Sequence, residues 1–242
     1  MTQAPVKFRP SAFGEATLRR DSPFRYTCNA CNRCCHNYRI QVNPYEVLSL
    51  SRHLGITTTA FIARHLSDGP YLKRRSDGSC GFLGANGCGV HPARPLVCRL
   101  YPLGRHISST DEERFSHMRP HPETAGEYGL NGTIGDYLAA QGALPYIEAA
   151  DKYMALFRRL YAVLCESGAA SAEHVMNIIS MGKSGTSSAK VRLEHILDPD
   201  KAIDVYFGQR ATESRRNPKD AMALHIKAML RWLSSYLKGE LK

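Results

Sequence analysis

Seven of the chain's eight cysteines fall between positions 28 and 98, and four of them occupy one short run, Cys28-Asn29-Ala30-Cys31-Asn32-Arg33-Cys34-Cys35. A two-residue spacer lets two thiolates converge on one metal while the intervening amides point at the sulfurs. Three cysteines spaced C-x2-C-x2-C commonly hold three corners of a 4Fe–4S cluster, with the fourth ligand remote. The adjacent pair Cys34-Cys35 is harder to place, because neighbouring side chains in an extended segment point to opposite faces. One of the two can therefore serve a different metal, or the other edge of a larger cluster.

The second group is Cys80, Cys88 and Cys98. Cys80 opens Cys80-Gly81-Phe82-Leu83, Cys88 sits in Gly87-Cys88-Gly89, and Cys98 closes Arg94-Pro95-Leu96-Val97-Cys98-Arg99-Leu100-Tyr101-Pro102. The glycines suit tight turns that bring backbone close to a metal. Seven thiols exceed the four that one tetrahedral zinc needs. That leaves two metals, one multinuclear centre, or some thiols with catalytic or resolving roles. A conventional zinc site would pair Cys28 and Cys31 with Cys88 and His91. An iron–sulfur site would use the three-cysteine run plus Cys98. The remote spacings are loose for a zinc ribbon, so the balance favours iron–sulfur, with zinc as the competing occupant. His91 is read first as a packing or hydrogen-bonding residue. Cys165 lies on the apolar side of an expected helix and reads as a packed thiol.

No stretch approaches the roughly 18 consecutive apolar residues of a membrane helix. Met1–Pro10 has no apolar core like that of a secretory signal. The expectation is a cytoplasmic protein, where thiols stay reduced and cysteine clusters bind metal more often than they form disulfides. The formal net charge of +10 is uneven: residues 1–110 hold 15 Lys and Arg against 5 Asp and Glu, and residues 111–242 hold 17 of each. A basic region can signal nucleic acid. Here aromatic interleaving is missing, and crowded thiolates themselves call for cations such as Arg33, Arg39, Arg94 and Arg99. Nucleic acid is therefore disfavoured.

The expected fold class is α+β, mainly α: a small irregular metal-bound cysteine domain with short helices and strands, then a helical domain. Residues 1–23 read as an N-terminal arm, 24–110 as the cysteine-cluster domain, 111–132 as a connector and 133–242 as the helical domain. The stretch 106–132, rich in His, Pro, Gly and acids, reads as connecting chain. Tyr38–Val42 alternates and is a strand candidate. Asn43-Pro44 caps a helix running to Gly55, and Thr58 or Thr59 caps the next. Tyr146, Ile147, Ala150, Met154, Phe157, Leu160, Tyr161 and Leu164 mark an amphipathic helix ending near Gly168. Gly182–Ser188 reads as a loop. Asn217-Pro218 opens a last helix with a stripe at Met222, Ile226, Met229, Leu230, Leu233 and Leu237.

Taken together, the Cys28–Cys35 run, Cys80-Gly81-Phe82-Leu83, Gly87-Cys88 and Arg94-Pro95 through Cys98-Arg99-Leu100-Tyr101-Pro102 resemble the CxxCxxCC cysteine-cluster family, described as a zinc- or iron-chelating domain. The resemblance covers about residues 26–105. It implies that Cys28, Cys31, Cys34, Cys35, Cys80, Cys88 and Cys98 form one functional unit with Arg94, Pro95, Arg99, Tyr101 and Pro102. The family often has Tyr where this chain has His91, which weakens the case for an obligatory His ligand. A related cluster occurs in flagellin lysine-N-methylases, which motivates a second hypothesis: a cluster-dependent, S-adenosylmethionine-using lysine N-methyltransferase. Against it, the chain shows no Gly-rich methyltransferase loop after a strand, and no C-x3-C-x2-C spacing. Gly182-Lys183-Ser184 resembles the end of a phosphate loop, but Asn177 stands where that loop needs glycine. The leading expectation is a redox or accessory metal protein that docks a protein partner or substrate, with catalytic residues unassigned.

Overall fold

The clearest helix start in the sequence, Asn43-Pro44, opens a helix in the computed structural model, which describes residues 14–36, 38–118, 121, 123–166, 193–208 and 217–238. In chain order the elements begin with β1 (Pro23–Thr27), α1 (Pro44–His53), α2 (Thr58–His65), β2 (Leu66–Ser67), β3 (Tyr71–Leu72), β4 (Leu83–Gly84), β5 (Gly87–Cys88) and α3 (Leu96–Leu100). They continue with β6 (Leu103–Ile107), β7 (Glu113–His117), β8 (Glu127–Thr133), α4 (Ile134–Ala140), α5 (Leu144–Glu166), α6 (Pro199–Phe207) and α7 (Pro218–Leu237). Each sheet among the described residues has two antiparallel strands. The class is α+β, mainly α, as expected. No helix among the described residues is long and apolar enough to cross a membrane. Residues 1–13 of the expected arm, Gly168, and the segment Gly182–Ser188 with its Gly182-Lys183-Ser184 lie outside the described residues.

Two compact units emerge. One contains the chain up to Cys34 together with Val97–Ala143; the other contains Cys35–Leu96 and the chain from Leu144 onward. The units interleave in sequence, whereas the sequence reading divided the chain into consecutive segments. The breaks at 34/35 and 96/97 run through the cysteine block itself.

In the first unit, β1 pairs with β8, with Tyr26 opposite Tyr128, and β6 pairs with β7, with Arg105 opposite Phe115. The expected connector therefore contains β7 and most of β8. Its polar composition hid a short alternation that buries Phe115 and Met118. The end of the expected arm is tied down as well. Leu18 and Phe115 exchange backbone hydrogen bonds of 3.0 and 2.8 Å, and Arg20 reaches Glu113 at 2.5 Å. Arg105 meets the other oxygen of Glu113, also at 2.5 Å. Phe24, Tyr26 and Tyr137 pack edge to face beneath α4.

In the second unit, α1 has a full capping box. Asn43 accepts from the Glu46 amide at 3.0 Å, and Glu46 accepts from the Asn43 amide at 2.7 Å, so two orphan donors are satisfied at once. Gly55, at φ +67°, follows the helix end as expected. The α2 cap is Thr57, not Thr58 or Thr59. The hydroxyls of Thr58 and Thr59 are engaged elsewhere, donating to the two oxygens of Asp198 at 2.6 Å each. Asp200 completes this polar lock by accepting from the Thr58 amide and, bidentately, from Arg52. Tyr38–Val42 is extended but makes only one bridge, Gln41 to Tyr71, with flanking bonds from Val42 and Leu72.

The core of this unit joins Tyr45 and Leu48 of α1 to Tyr146, Tyr153 and Leu160 of α5, Ile203 of α6 and Met229 and Trp232 of α7. The expected α5 stripe buries Tyr146, Ile147, Leu160 and Leu164 but departs from expectation in the middle of the helix. Tyr153 and Leu156 are buried, while Met154 is 51% exposed, because α5 packs against both α1 and α7. On α7 the core face adds Trp232 and His225 and leaves Leu237 outside. Cys165 is partly buried against this core, as a packing thiol should be.

Candidate metal centre

Residues 28–34 do not run straight. Ala30 and Asn32 both adopt left-handed backbone, at φ +51° and +60°. For residues with a Cβ this costs about 1–2 kcal/mol each relative to the ordinary α region. Alternation of this kind curls a chain so that successive amides point into a concavity, an arrangement suited to anionic groups. The Cys31 sulfur receives such donors. The backbone amides of Ala125 and Arg33 hydrogen-bond to it and hold its thiol below the usual value; burial opposes them, the Thr124 hydroxyl assists, and the nearby Cys34 opposes. An Asn32-Arg33 turn that lays an amide on the preceding cysteine sulfur is the local geometry a C-x2-C ligand pair needs. Cys28 is exposed and Cys34 is half-buried in the middle of a 3-10 turn over Arg33–Cys35.

Facing this loop is residues 123–127. Asn29 donates to the Ala125 carbonyl at 2.8 Å and to Glu127 at 3.1 Å, and Arg33 pairs with Glu123 at 2.8 Å. A Cβ on Gly126 would fall 2.1 Å from the Tyr26 hydroxyl, so a side chain there would have to displace the Tyr26 ring. Burial pushes the Tyr26 phenol up to about 12, which keeps it protonated. None of residues 123–127 was singled out by spacing or motif. They lead into β8, which pairs with β1, and only the glycine at position 126 could have hinted at a close approach.

Cys98 lies on α3 and belongs with Cys28, Cys31 and Cys34 to the first unit. Its neighbour Arg99 is buried and donates to the Gln141 carbonyl at 2.8 Å. The Tyr101 carbonyl accepts from the Tyr137 hydroxyl at 2.5 Å, and its ring meets Tyr26 edge to face at 6.0 Å. Tyr101-Pro102 is a cis peptide.

Cys35, Cys80 and Cys88 belong to the second unit. The Cys80 amide donates to the Cys35 carbonyl at 2.9 Å, the Leu83 amide donates to the Cys80 carbonyl at 3.0 Å, and Leu83 pairs with Cys88 across β4–β5. The glycines act as the sequence suggested. Gly87 turns the hairpin at φ +95°, and a Cβ on Gly81 would meet the Lys73 carbonyl at 2.9 Å. His91 is exposed, and its Nδ1 lies 3.2 Å from Arg94 Nη1, which also donates to the His91 carbonyl at 2.9 Å. With a guanidinium as donor, Nδ1 is the acceptor, leaving the proton of a neutral ring on Nε2. Arg39 lies 4.0 Å over the Tyr71 ring and 3.6 Å from Asp68. Each arginine expected beside the thiols thus has a carbonyl, carboxylate or ring partner.

All eight cysteines lie among the described residues, and none forms a disulfide. Residues 27–121 match the model of the CxxCxxCC family, whose description is "putative zinc- or iron-chelating domain". This stretch resembles the CxxCxxCC domain. The match reaches beyond the expected 26–105 and stops just short of Glu123. No curated protein and no solved structure matches the chain. The donors of this stretch suit the family's metals in kind, since reduced thiols are what zinc and iron–sulfur centres take. Among the described residues, no three Cys, His, Asp or Glu side chains are gathered tightly enough to hold an ion.

Proposed function

We propose that the cysteine block holds an iron–sulfur centre, with Cys28, Cys31, Cys34 and Cys98 of the first unit as its candidate ligands, and serves as a redox or accessory module for a protein partner in a reducing compartment. The observation that carries this reading is the curled C-x2-C-x2-C loop, in which left-handed Ala30 and Asn32 flank Cys31 and backbone amides hold its thiol below the usual value. Such donors stabilise sulfur bearing negative charge, and around a cluster they raise its reduction potential. The four cysteines sharing the first unit match the three-plus-one ligand pattern of a 4Fe–4S cluster. When bound, the centre would supply one-electron chemistry. The protein's own part is to hold thiolates, direct amides at them and balance their charge, with Arg94, Arg99 and Tyr101 beside the ligands in sequence.

Zinc is the second reading, favoured by the same knuckle geometry, which a tetrahedral thiolate site uses equally well. Anaerobic purification with metal analysis and an absorption spectrum decides between them. Iron with acid-labile sulfide and a brown colour is expected; a colourless protein with stoichiometric zinc overturns the iron–sulfur assignment. Cys31→Ala or Cys98→Ala should lose metal, whereas Cys165→Ala should keep it. Full metal content in both ligand variants would count against the whole reading. The methyl-transfer alternative rests on family resemblance alone, and binding heat on titrating the purified protein with S-adenosylmethionine would revive it.

A further inference from the structure

We infer that the second unit carries a docking surface for an acidic protein partner, built from Arg64, Lys73, Arg74 and Arg75 beside Cys80. All four basic residues are exposed. The partner is the one that the proposed accessory role calls for, so the surface rests on that reading for its occupant. Which metal the cysteines hold does not enter.

Backbone bonds gather these residues from α2 and from the chain that follows β3. The Lys73 amide donates to the His65 carbonyl at 2.8 Å, and the Gly81 amide donates to the Lys73 carbonyl at 2.9 Å. Arg74 bridges Cys80 in antiparallel register, and the Arg75 amide closes the turn beyond it on the Ser79 carbonyl at 2.9 Å. The cationic side chains are steered by carbonyls. Lys73 Nζ donates to the Ala63 and Arg64 carbonyls at 3.0 and 2.8 Å, where α2 ends. Arg74 Nε donates to the Gly78 carbonyl at 3.2 Å, and Arg75 Nη2 to the Gly81 carbonyl at 3.4 Å. A carbonyl orients a cation without cancelling its charge.

The acids of the same stretch are engaged elsewhere. Asp77 turns its carboxylate to the Ser79 amide at 2.9 Å and the Ser79 hydroxyl at 2.7 Å, and Asp68 lies 3.6 Å from Arg39. Among the described residues, no carboxylate forms an ion pair with Arg64, Lys73, Arg74 or Arg75. Like charges gathered on one surface repel one another, and an acidic counterpart relieves that repulsion while steering its own approach. A protein suits this surface better than nucleic acid or lipid. Tyr71 lies 4.0 Å under the Arg39 guanidinium, and Phe82 packs on His65 and Phe61 at 4.8 and 6.3 Å. The nearby rings thus have partners, whereas single-stranded nucleic acid needs aromatic faces set among the cations. None of the exposed large apolar side chains falls between Arg64 and Gly81, so a bilayer would find no anchor there.

The test measures binding of the anaerobically purified full chain to a labelled oligoglutamate peptide by fluorescence anisotropy. Binding is expected at low salt and should fade as salt rises, because exposed charges are screened. Arg74→Glu with Arg75→Glu should weaken it about 10-fold or more. Lys219→Glu with Lys227→Glu, the same change in net charge placed on α7, should leave it within about 2-fold. Arg74→Gln with Arg75→Gln keeps a donor for each carbonyl and removes only the charge, so a loss of about 3-fold is expected even if the glutamate pair disturbs the turn. No peptide binding by the wild type at low salt, or equal weakening by the two glutamate pairs, overturns the inference. So does tighter binding to a single-stranded oligonucleotide of equal charge, or to phosphatidylserine vesicles, than to the peptide. Metal content read on the same samples judges the metal centre separately: a protein free of iron and zinc that still binds the peptide through Arg74 and Arg75 sinks only the centre.

Discussion

The two units are held together by different physics. The second is built around aliphatic and aromatic side chains from four helices, with Trp232, Tyr153, Leu160 and Ile203 almost fully buried. At depth it also holds a polar lock of Asp198 and Asp200 with Thr58, Thr59 and Arg52. The first unit has short strands, an edge-to-face tyrosine group and ion pairs converging on Glu113. Apolar burial scales with area and needs no ligand, whereas a small strand-and-loop unit commonly draws on a metal for part of its folding energy. The cysteine set Cys28, Cys31, Cys34 and Cys98 lies in the unit with the smaller apolar core.

The comparison can be broken most directly at Trp232. Trp232→Ala should cost roughly 3–5 kcal/mol, because it removes the largest fully buried side chain and leaves a cavity. Denaturant unfolding measures this, and a loss below about 1 kcal/mol would remove the apolar-core account of the second unit.

A somewhat smaller effect is expected from pH. His225 is fully enclosed, with Nε2–H donating to the His195 carbonyl at 3.0 Å and Nδ1 accepting from the Tyr153 hydroxyl at 2.8 Å. Burial pushes the imidazole from 6.5 down to about 4. Between those values the unfolded chain binds a proton that the folded chain refuses. Stability should therefore hold above pH 6.5 and fall as pH is lowered toward 4, by up to roughly 3 kcal/mol. Urea midpoints across that window report it, and His225→Phe should flatten the slope; an unchanged slope would show that other groups carry it.

The smallest effect sharpens the other side of the comparison. Burial works to raise the pKa of Glu113, yet hydrogen bonds from Arg20 and Arg105 outweigh it and hold the carboxylate below its usual value. Glu113→Gln should cost about 1–2 kcal/mol, and the cost should shrink in high salt because Arg20 is half exposed. A salt-independent cost would mean that shape, not charge, matters at this position.

Helix starts were the most legible part of the fold. Asn43-Pro44 and Asn217-Pro218 each cap the helix they were expected to cap, because a cap is a bond between residues two or three apart. Legibility fell as the partner moved away in sequence. Thr57 displaced Thr58 and Thr59 as the α2 cap because Asp198, some 140 residues on, holds the other two hydroxyls. The strands of residues 103–133 were missed because their pairing partners include Leu18 and β1, and a polar composition conceals which of their residues turn inward. At the candidate site, the cysteines were visible from spacing, while Thr124, Ala125 and Gly126 carried no local mark.

What the amino-acid order determined by itself is the chemistry: seven thiols in a family-specific pattern, curled by turn residues, in a chain with strong helix caps. What only the tertiary structure decided is the grouping. The boundary between units falls at the Cys34–Cys35 peptide, Cys98 joins the first three cysteines, and Cys35 joins Cys80 and Cys88. Spacers and caps act over a few residues, where backbone geometry leaves little choice. Which distant segments come together depends on how the chain returns on itself, and that is set by the burial and pairing of residues far from the cysteines.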